Sequence, residues 1–425
     1  MLKENGEQLL KKFADNAYPK SVTKITDGIY HVMGYAHSNS IIIEADNSVI
    51  LVDTFDTDAR AEELKKIIAG ITEKPVKTII FTHGHPDHRG GSGAFSETNP
   101  EIIAFAPKKP ILGRMNKLND ILNKRTSFQF GYNLSNEEAI TQGIGIREGF
   151  TVGEGKFAFA QPTTIYNEDK VKLTIDGINI ELVSAIGETD DQIFVWLPDY
   201  KVLCSGDNYY GCWPNLYALR GSQYRDVSAW IDTLDLILSY KAEYVLPGHT
   251  KPLIGRDNVE EVLSNFRNAI DYVLEETLNG MNKGLTIDEL ASTIKLPEKF
   301  EKLPYLGEFY GTVAWSVRSI YNGYVGWFDG NPTNLSKLPP KEYAMNMIDL
   351  IGGETKIIEE IKKALSNKKE QWAIEMCDLL ISSEKEIKVG KQLKAEGLMA
   401  LSKLETSANG RHYYIACAKE LLENL

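Results

Sequence analysis

The chain has 425 residues, of which 43% are hydrophobic and 10% aromatic, and its formal net charge is −12. This length exceeds the ~250–300 residues at which single cores stop growing, and the composition excludes a largely disordered chain, so we expect a globular protein with a large and a smaller domain. The negative charge disfavours nucleic acid and anionic membranes as partners, but a local cation would still allow a small anionic ligand.

The cysteines and the amino-terminal sequence indicate in which cellular compartment the protein is found. The four cysteines do not form a close pair with metal-binding spacing, so we expect reduced, packed thiols, with Cys204 in the core. The first residues are charged and lack the apolar segment of a signal peptide, and no apolar run approaches the ~20 residues of a membrane span. The sequence therefore predicts a cytoplasmic protein.

The first part of the chain mixes strand and helix patterns. Short apolar runs bounded by turn residues predict strands at 29–33, 40–45, 49–53, 76–82, 171–175, 178–185, 192–197, 201–205 and 243–246. Helical spacing predicts helices at 59–68 and 227–239. The glycine-rich stretch 125–155 is expected to be an extended loop. Together these patterns predict an α/β (α+β) fold with a two-sheet core and helices outside.

From residue 258 the pattern becomes helical. A capping box formed by Thr286 and Glu289 predicts a helix start. Further helices are predicted at 341–350, 355–365, 369–381, 386–404 and 410–422. We therefore expect a larger domain at 1–335, with a core at about 25–257 and a helical extension at 258–335, and an α-helical domain at 336–425. The apolar faces of the last helices need a partner, which predicts a homodimer.

The run from Thr82 to His88 carries the strongest chemical signal. Three of the seven histidines, His83, His85 and His88, fall within six residues directly after a predicted strand, and Asp87 lies among them. Side chains two residues apart on an extended segment point to one side, so the first two histidines can share one metal ion, while Asp87 and His88 can face a second. Imidazole with carboxylate suits zinc, iron or manganese, and two such ions ~3.5–4 Å apart activate a water. The alternative is a surface loop with scattered histidines.

The remaining ligands must come from other strand ends. Glu188, Asp207 and His249 each follow an apolar strand and a glycine, so short loops can project them into a shared cleft. The alternatives are a solvated loop carboxylate, a turn cap and a hydrogen-bonded loop histidine, respectively. The histidines expected to be structural are His31, His37 and His412. Of these, His37 would at most line the mouth of the cleft.

Charge balance makes a further cation necessary for an anionic substrate. Two divalent ions carry four positive charges, three carboxylates (Asp87, Glu188, Asp207) return three negative ones, and a bound hydroxide cancels the last. Arg220 lies thirteen residues after Asp207, and its guanidinium fork suits sulfate, phosphate or carboxylate oxygens. The alternative is an ordinary surface arginine. We interpret Asp87, Asp207 and Arg220 as the catalytic residues.

The metal-binding run also resembles a known signature. The segment 83–88 with Gly90 and Gly91 resembles the signature of the metallo-β-lactamase superfamily. Further features resemble its zinc-dependent alkyl sulfatase branch. Near the metal-binding residues these are Glu188 in place of a third histidine, Asn208 after the bridging acid, and the Asn-Leu-Tyr and Leu-Arg-Gly run at 215–221. Further along the chain they are the distal block at 310–332 and the helical end with Gly352-Gly353 and 408–411. The similarity covers roughly residues 25–425, and the glutamate with the distal block is its most specific part.

The resemblance implies an αββα sandwich followed by an all-α dimerisation domain, with two Zn²⁺ ions or other divalent transition metals. It implies the following site: His83, His85 and Glu188 hold one ion, Asp87, His88 and His249 hold the other, Asp207 bridges them, Arg220 grips the sulfate, and Asn208 and Asn215 bind substrate.

Some positions depart from the family pattern. The family usually has glutamate at the position of Asp207 and histidines in the loop before the arginine, whereas 208–219 contains none. A family tyrosine that contacts sulfate falls near Phe128 or Phe130, which have no hydroxyl. We also expect neither the third, lipid-carrier-like domain of typical members nor their secretion signal. These departures favour a short or internal cellular sulfate ester over a long-chain detergent.

The sequence as a whole predicts a binuclear zinc hydrolase of sulfate esters. One alternative is another hydrolase on the same scaffold, such as a lactonase, thioesterase or phosphodiesterase. The other is a metal-binding, dimeric scaffold with little turnover.

Overall fold

Two β-sheets form the centre of the computed structural model, which describes residues 5–109 and 112–423. The strands in these residues are β1 (Ser21–Thr26), β2 (Ile29–Met33), β3 (Ser40–Glu44), β4 (Val49–Val52), β5 (Val76–Ile80), β6 (Glu101–Phe105), β7 (Thr164–Tyr166), β8 (Lys170–Ile175), β9 (Ile178–Ser184), β10 (Ile193–Leu197), β11 (Val202–Gly206), β12 (Tyr244–Pro247) and β13 (Leu253–Ile254). The first sheet contains β1 to β7 in sequential order, and the second has the order β13-β12-β11-β10-β9-β8.

The central strands are buried on both faces. Strands β4, β10 and β11 are buried along their whole length, which is why their sequences are continuous apolar runs rather than alternating ones. Between the two sheets, aliphatic side chains form a shared core that includes Ile43, Ile80, Leu182, Val195 and Cys204. The prediction that Cys204 belongs to the core is confirmed.

Helices cover the outer face of each sheet. The helices are α1 (Gly6–Ala17), α2 (Asp58–Ile71), α3 (Pro86–Arg89), α4 (Asn119–Phe130), α5 (Asn136–Ala139), α6 (Val227–Ser239), α7 (Arg256–Asn282), α8 (Ile287–Thr293), α9 (Glu298–Glu301), α10 (Val313–Val325), α11 (Pro340–Ile351), α12 (Glu354–Ser366), α13 (Glu370–Ser382), α14 (Ile387–Ser402) and α15 (Ala408–Glu423). Helix α2 packs on the first sheet through Leu64 and Ile68, and α6, α7 and α10 pack on the second. The predicted αββα sandwich is confirmed.

The last five helices form a layer with a core of its own. That core includes Ile348, Ile357 and Leu380. Helix α15 also returns to the sandwich, where the ring nitrogens of His412 each lie 2.9 Å from a backbone carbonyl, of Gln129 in α4 and of Ala139 in α5. The all-α second domain is confirmed, whereas a boundary at 335/336 stays a prediction.

The expectation of an extended loop at 125–155 is wrong in part. Helix α4 continues to Phe130, where Gly131 ends it in the left-handed region at φ 65°. Helix α5 follows behind a capping box of Ser135 and Glu138, and a 3-10 helix spans Gly149–Val152. Helix α4 buries few of its own side chains and is held by packing on α15, so its sequence lacks the apolar periodicity that predicts a helix.

Several short elements were not predicted from the sequence: α1, β1, β6, β7 and β13. Four of them are strands of six residues or fewer, and β1 lies half-exposed at a sheet edge, so their hydrophobic patterns are weak. All four cysteines carry free thiols, as predicted. None of the helices within the described ranges is both long enough and apolar enough to cross a bilayer.

Candidate metal centre

The predicted ligands come together at one edge of the sandwich. Strands β4, β5, β9, β11 and β12 all end at this edge, because β4 pairs with β5 and β11 with β12 in parallel, and β9 runs in the direction of β11. The loops after four of these strands carry His83, Glu188, Asp207 and His249, each of which is buried. Strand direction therefore brings residues more than 160 positions apart into one cluster.

The histidine run changes conformation in its middle. Strand β5 ends at Ile80 and the chain bends at 82–84, which places the Nε2 atom of His83 3.0 Å from the Nδ1 atom of His85. The two rings meet as predicted, but through a bend and not on an extended segment. Pro86 then begins the one-turn helix α3, since proline is well suited to the first helical position. This turn directs Asp87 and His88 to a neighbouring position, with 3.3 Å between the Asp87 Oδ2 and His88 Nε2 atoms.

Two groups of metal-ligating atoms share Asp207. The first group comprises His83, His85, Glu188 and Asp207; the second comprises His88, Asp207 and His249, and within each group the ligating atoms lie within 4.8 Å of one another. Asp207 Oδ2 lies 3.3 Å from His249 Nε2 and 3.7 Å from His83 Nε2, while its Oδ1 lies 3.4 Å from His88 Nε2. Asp207 therefore lies between the two groups, and the bridging role that the family resemblance implies for it stays a prediction.

Asp207 reaches this position through a turn that only glycine fits. Gly206 has φ 52°, and a Cβ atom there would lie 2.1 Å from Nε2 of Gln192. The Gly-Asp pair at the end of β11 is therefore a geometric requirement of the centre.

His37 lies closer to the centre than the sequence indicated. The sequence analysis treated it as structural, at most at the mouth of the cleft. In the structure it is buried, and its Nε2 lies 3.9 Å from Asp87 Oδ2 in a third group with Asp87 and His249. Its Nδ1 lies 2.9 Å from the carbonyl oxygen of Ile146, which holds the ring in place.

The side chains of the cluster perturb one another strongly. Burial alone would lower the pKa of His249, but the carboxylates of Asp207 and Asp87 outweigh it and raise the pKa to about 9. Burial, reinforced by His88, lowers the pKa of His83 to about 3. Burial raises the pKa of Glu188 to about 8. Such opposed shifts within one cleft are characteristic of functional sites.

The donor set fits a pair of divalent transition metals. Glu188 Oε2 and Asp207 Oδ1 are buried and have no hydrogen-bond partner among the described residues, and leaving a buried carboxylate oxygen unpaired is costly. A cation in each group would satisfy both atoms. Mixed imidazole and carboxylate ligands suit zinc, iron or manganese.

Backbone and side-chain acceptors orient the ligand histidines. His88 Nδ1 lies 2.7 Å from Asp53 Oδ2, and His249 Nδ1 lies 3.0 Å from the carbonyl oxygen of His37. With Nδ1–H donating, each Nε2 faces the cluster as a ligand atom. Asp53 also accepts from the backbone N–H and hydroxyl of Thr82, and it adopts φ 60°, which is uncommon for a non-glycine residue. Sequence analysis missed Asp53, although an acid directly after a buried strand was visible.

A cavity of about 240 Å³ opens on the metal-ligating groups. Arg220, the predicted anion-binding residue, lines it, with its Nη2 3.3 Å from His85 Nε2. Its backbone N–H donates to the side-chain oxygen of Gln129 in α4 at 2.7 Å. Helix α4 thus braces the loop that carries Arg220, and the structure places this arginine beside the centre rather than on the outer surface.

The two asparagines assigned to substrate binding occupy different places. Asn215 lines the cavity, and its side-chain oxygen has no partner within the described part of the chain. Asn208 is fully buried, and its amide donates to the carbonyl oxygen of Ala185 at 3.0 Å. This position indicates that Asn208 stabilises the loop that carries Glu188, since its buried side chain is not accessible to a ligand.

Several cavity residues were not found from the sequence. They are Arg225, Tyr132, Glu148 and Tyr310. Phe130, which has no hydroxyl and lies near the position of the family's sulfate-contacting tyrosine, lines the cavity. Tyr132, two residues further on, also lines it and is hydrogen-bonded to Glu148. Tyr310 begins the distal block at 310–332, but sequence analysis assigned it no role in the site. The other three residues belong to no motif with fixed spacing, so only the fold reveals that they meet.

Comparisons with known proteins agree with this geometry. A sequence model described as the metallo-beta-lactamase superfamily matches residues 33–249, and one described as alkyl sulfatase dimerisation matches residues 286–424. A solved structure, the stereoselective inverting sec-alkylsulfatase Pisa1 from Pseudomonas sp., has the same fold, with a TM-score of 0.86 at 24% identity over 99% of this chain and 68% of that one.

Two curated relatives match most of the chain. A linear primary-alkylsulfatase of Pseudomonas sp. (strain ATCC 19151) is 35% identical over 389 residues, which are 89% of this chain and 73% of that protein. The alkyl/aryl-sulfatase BDS1 of Saccharomyces cerevisiae is 30% identical over 95% of this chain and 64% of its own length. The chain thus spans about two thirds to three quarters of these relatives. It belongs to the metallo-beta-lactamase superfamily, in its alkylsulfatase family.

Proposed function

We propose that this protein is a metal-dependent hydrolase that cleaves sulfate esters. The observation that carries the proposal is a cluster of seven ligand side chains from four loops, in which Asp207 belongs to two metal-ligating groups, next to a cavity that Arg220 also lines. The curated relatives with matching sequence are sulfatases of alkyl and aryl esters, which supports the same substrate class.

We assign the ligands to two metal positions. His83, His85 and Glu188 would hold one ion, Asp87, His88 and His249 the other, with Asp207 between them. We propose zinc as the native metal, since its preference for imidazole and carboxylate ligands matches both groups. Two ions bound there would lower the pKa of a shared water and so supply a nucleophile at neutral pH. Asp87 and Asp207, as ligands beside that water, would help to orient it.

Arg220 would bind the sulfate group. In the part of the chain that the structure describes, no carboxylate forms an ion pair with it, so a cation on the cavity wall remains without a charged partner. An anionic ester oxygen would satisfy it, and a bidentate fork fixes the orientation of such an oxygen pair. A neutral lactone offers no matching charge, which favours a sulfate ester over the lactonase alternative.

Tyrosine hydroxyls would supply the hydrogen-bond donors that the histidine-free loop 208–219 lacks. Burial raises the pKa values of Tyr132 and Tyr310 well above 10, so both stay protonated at neutral pH. Both line the cavity, and the Tyr310 hydroxyl can donate to an ester oxygen, whereas the single proton of Tyr132 would first have to leave Glu148. The cavity volume of about 240 Å³ favours an ester with a small organic group near the centre.

A substrate panel tests this function. We expect purified, metal-loaded protein to hydrolyse short alkyl or aryl sulfates much faster than lactones, thioesters or phosphodiesters, with release of inorganic sulfate measured by ion chromatography. If the neutral esters or phosphodiesters are the preferred substrates, the sulfatase assignment fails and only the metallo-hydrolase scaffold remains. If no compound turns over although metal is bound, the scaffold alternative is favoured.

We also propose that the chain forms a homodimer through residues after 335. Large apolar side chains in and near this part are exposed, including Trp327 (73%), Leu350 (80%) and Trp372 (55%). Exposed apolar groups of this size mark interaction surfaces. Light scattering at micromolar concentration should give the mass of a dimer, and replacing all three by serine should give a monomer. The matched control is Ile254→Ser on β13, also half-exposed, which should stay dimeric; a monomeric wild-type protein would contradict the proposal.

A further inference from the structure

Arg225 is buried between a metal-ligating carboxylate and the substrate-facing loop. Its side chain is only 7% exposed, and its Nη1 donates to Glu188 Oε1 at 2.8 Å. The same nitrogen also donates to the backbone carbonyl oxygen of Asn215, a residue that lines the cavity. One guanidinium nitrogen thus connects the loop after β9 with the loop before α6.

This contact leaves one oxygen of Glu188 for a metal ion. Oε1 is occupied by Arg225, whereas Oε2 is buried and has no hydrogen-bond partner among the described residues. Glu188 belongs to the ligand group with His83 and His85. The contact with Arg225 therefore leaves Oε2 as the oxygen of this carboxylate that is available to a metal ion.

A glutamate ligand needs such help more than a histidine does. Two histidines of this centre are oriented by donating a ring N–H, His88 to Asp53 and His249 to a carbonyl oxygen. An ionised carboxylate has only acceptor atoms and a flexible stem, so an external donor must set its orientation. Arg225 is that donor at Glu188.

We propose that Arg225 is a positioning residue for the metal position formed by His83, His85 and Glu188, and that it couples this position to the loop carrying Asn215. The proposal rests on the proposed two-metal centre. Its role is distinct from that of Arg220, which lies beside His85 and is directed at no carboxylate of the described chain. Because the two arginines line one cavity but contact different atoms, their variants should separate metal binding from anion binding.

Metal binding by Arg225→Met tests the proposal. Equilibrium dialysis of the full chain against zinc, with elemental analysis, should show two ions in the wild type and weaker binding of one of them in the variant, by about 10- to 100-fold, the usual effect of losing a partner of a ligand. Arg225→Lys keeps the charge but loses the two-partner contact, and should fall between them. The matched control is Arg220→Met, which should bind both ions with wild-type affinity.

The Glu188→His background sharpens the test. A histidine ligand does not need the arginine as a donor, so Arg225→Met should no longer weaken metal binding there. Wild-type zinc affinity in Arg225→Met, or the same loss in the Glu188→His background, would overturn the proposal. If Arg225→Met does not yield folded protein, Arg225→Lys carries the same comparison in both backgrounds. Failure of the wild type to bind two ions would instead contradict the proposed metal centre itself.

Discussion

Replacing Arg220 by alanine is expected to lower kcat/KM for a sulfate ester by about 2–4 kcal/mol, or roughly 30- to 700-fold. The reason is that the cavity beside His85 would keep an anionic ester without its charged partner. Arg225 cannot replace Arg220, since Arg225 is held by Glu188 and Asn215. Metal content should not change, because arginine is not among the ligand groups.

The lysine variant and a neutral substrate are the controls for this prediction. Arg220→Lys retains a charge but not the two-pronged fork, so its loss should be smaller than that of alanine. Any residual hydrolysis of a neutral lactone should be nearly indifferent to both changes. Steady-state kinetics on the three proteins, with metal analysis of each, makes the comparison. Unchanged sulfate-ester turnover in Arg220→Ala would refute the anion-binding role.

Replacing Asp207 by asparagine is expected to abolish turnover and to weaken the binding of both metal ions. Asp207 is shared by the two ligand groups, with one oxygen 3.3 Å from His249 Nε2 and the other 3.4 Å from His88 Nε2. An amide keeps the shape but removes the negative charge and one acceptor. Loss of a partner that only orients a ligand costs about 10- to 100-fold in metal affinity, so loss of a shared ligand should cost more than about 100-fold.

Elemental analysis and activity measured on the same preparations check this result. The control is Asp232→Asn, an exposed acid on α6, which should bind metal and turn over as the wild type does. Retention of two ions by Asp207→Asn with normal affinity would show that Asp207 does not bridge. Loss of one ion only would assign Asp207 to a single metal position.

Much of the proposed centre could be predicted from the sequence because its residues lie in loops that follow apolar strands. A strand that is buried on both faces has a continuous apolar sequence, which makes it easy to predict. The position of its carboxyl end then determines where the side chains of the following loop lie. His83, Asp207 and His249 were located in this way, and the structure brings them together. The sandwich itself was predictable for the same reason, since its central strands are continuous apolar runs.

The residues that were missed depend on tertiary packing rather than on local pattern. Arg225 lies in an irregular stretch before α6, and nothing in its neighbourhood shows that it meets Glu188, 37 positions earlier. Tyr132 reaches the cavity because α4 ends at Gly131. Helix α4 itself could not be predicted, since its sequence has only a weak amphipathic pattern. His37 follows no motif and was therefore grouped with the structural histidines.

Sulfate release during stepwise addition of zinc to metal-free protein shows whether hydrolysis requires both proposed metal positions. The proposed ligand set would provide two metal positions joined by Asp207, and the proposed chemistry uses both. With a short alkyl sulfate as substrate, we expect negligible turnover without metal and full activity only when about two equivalents are bound per chain. Sulfate release by the metal-free protein, or activity that is complete at one equivalent, would contradict the account.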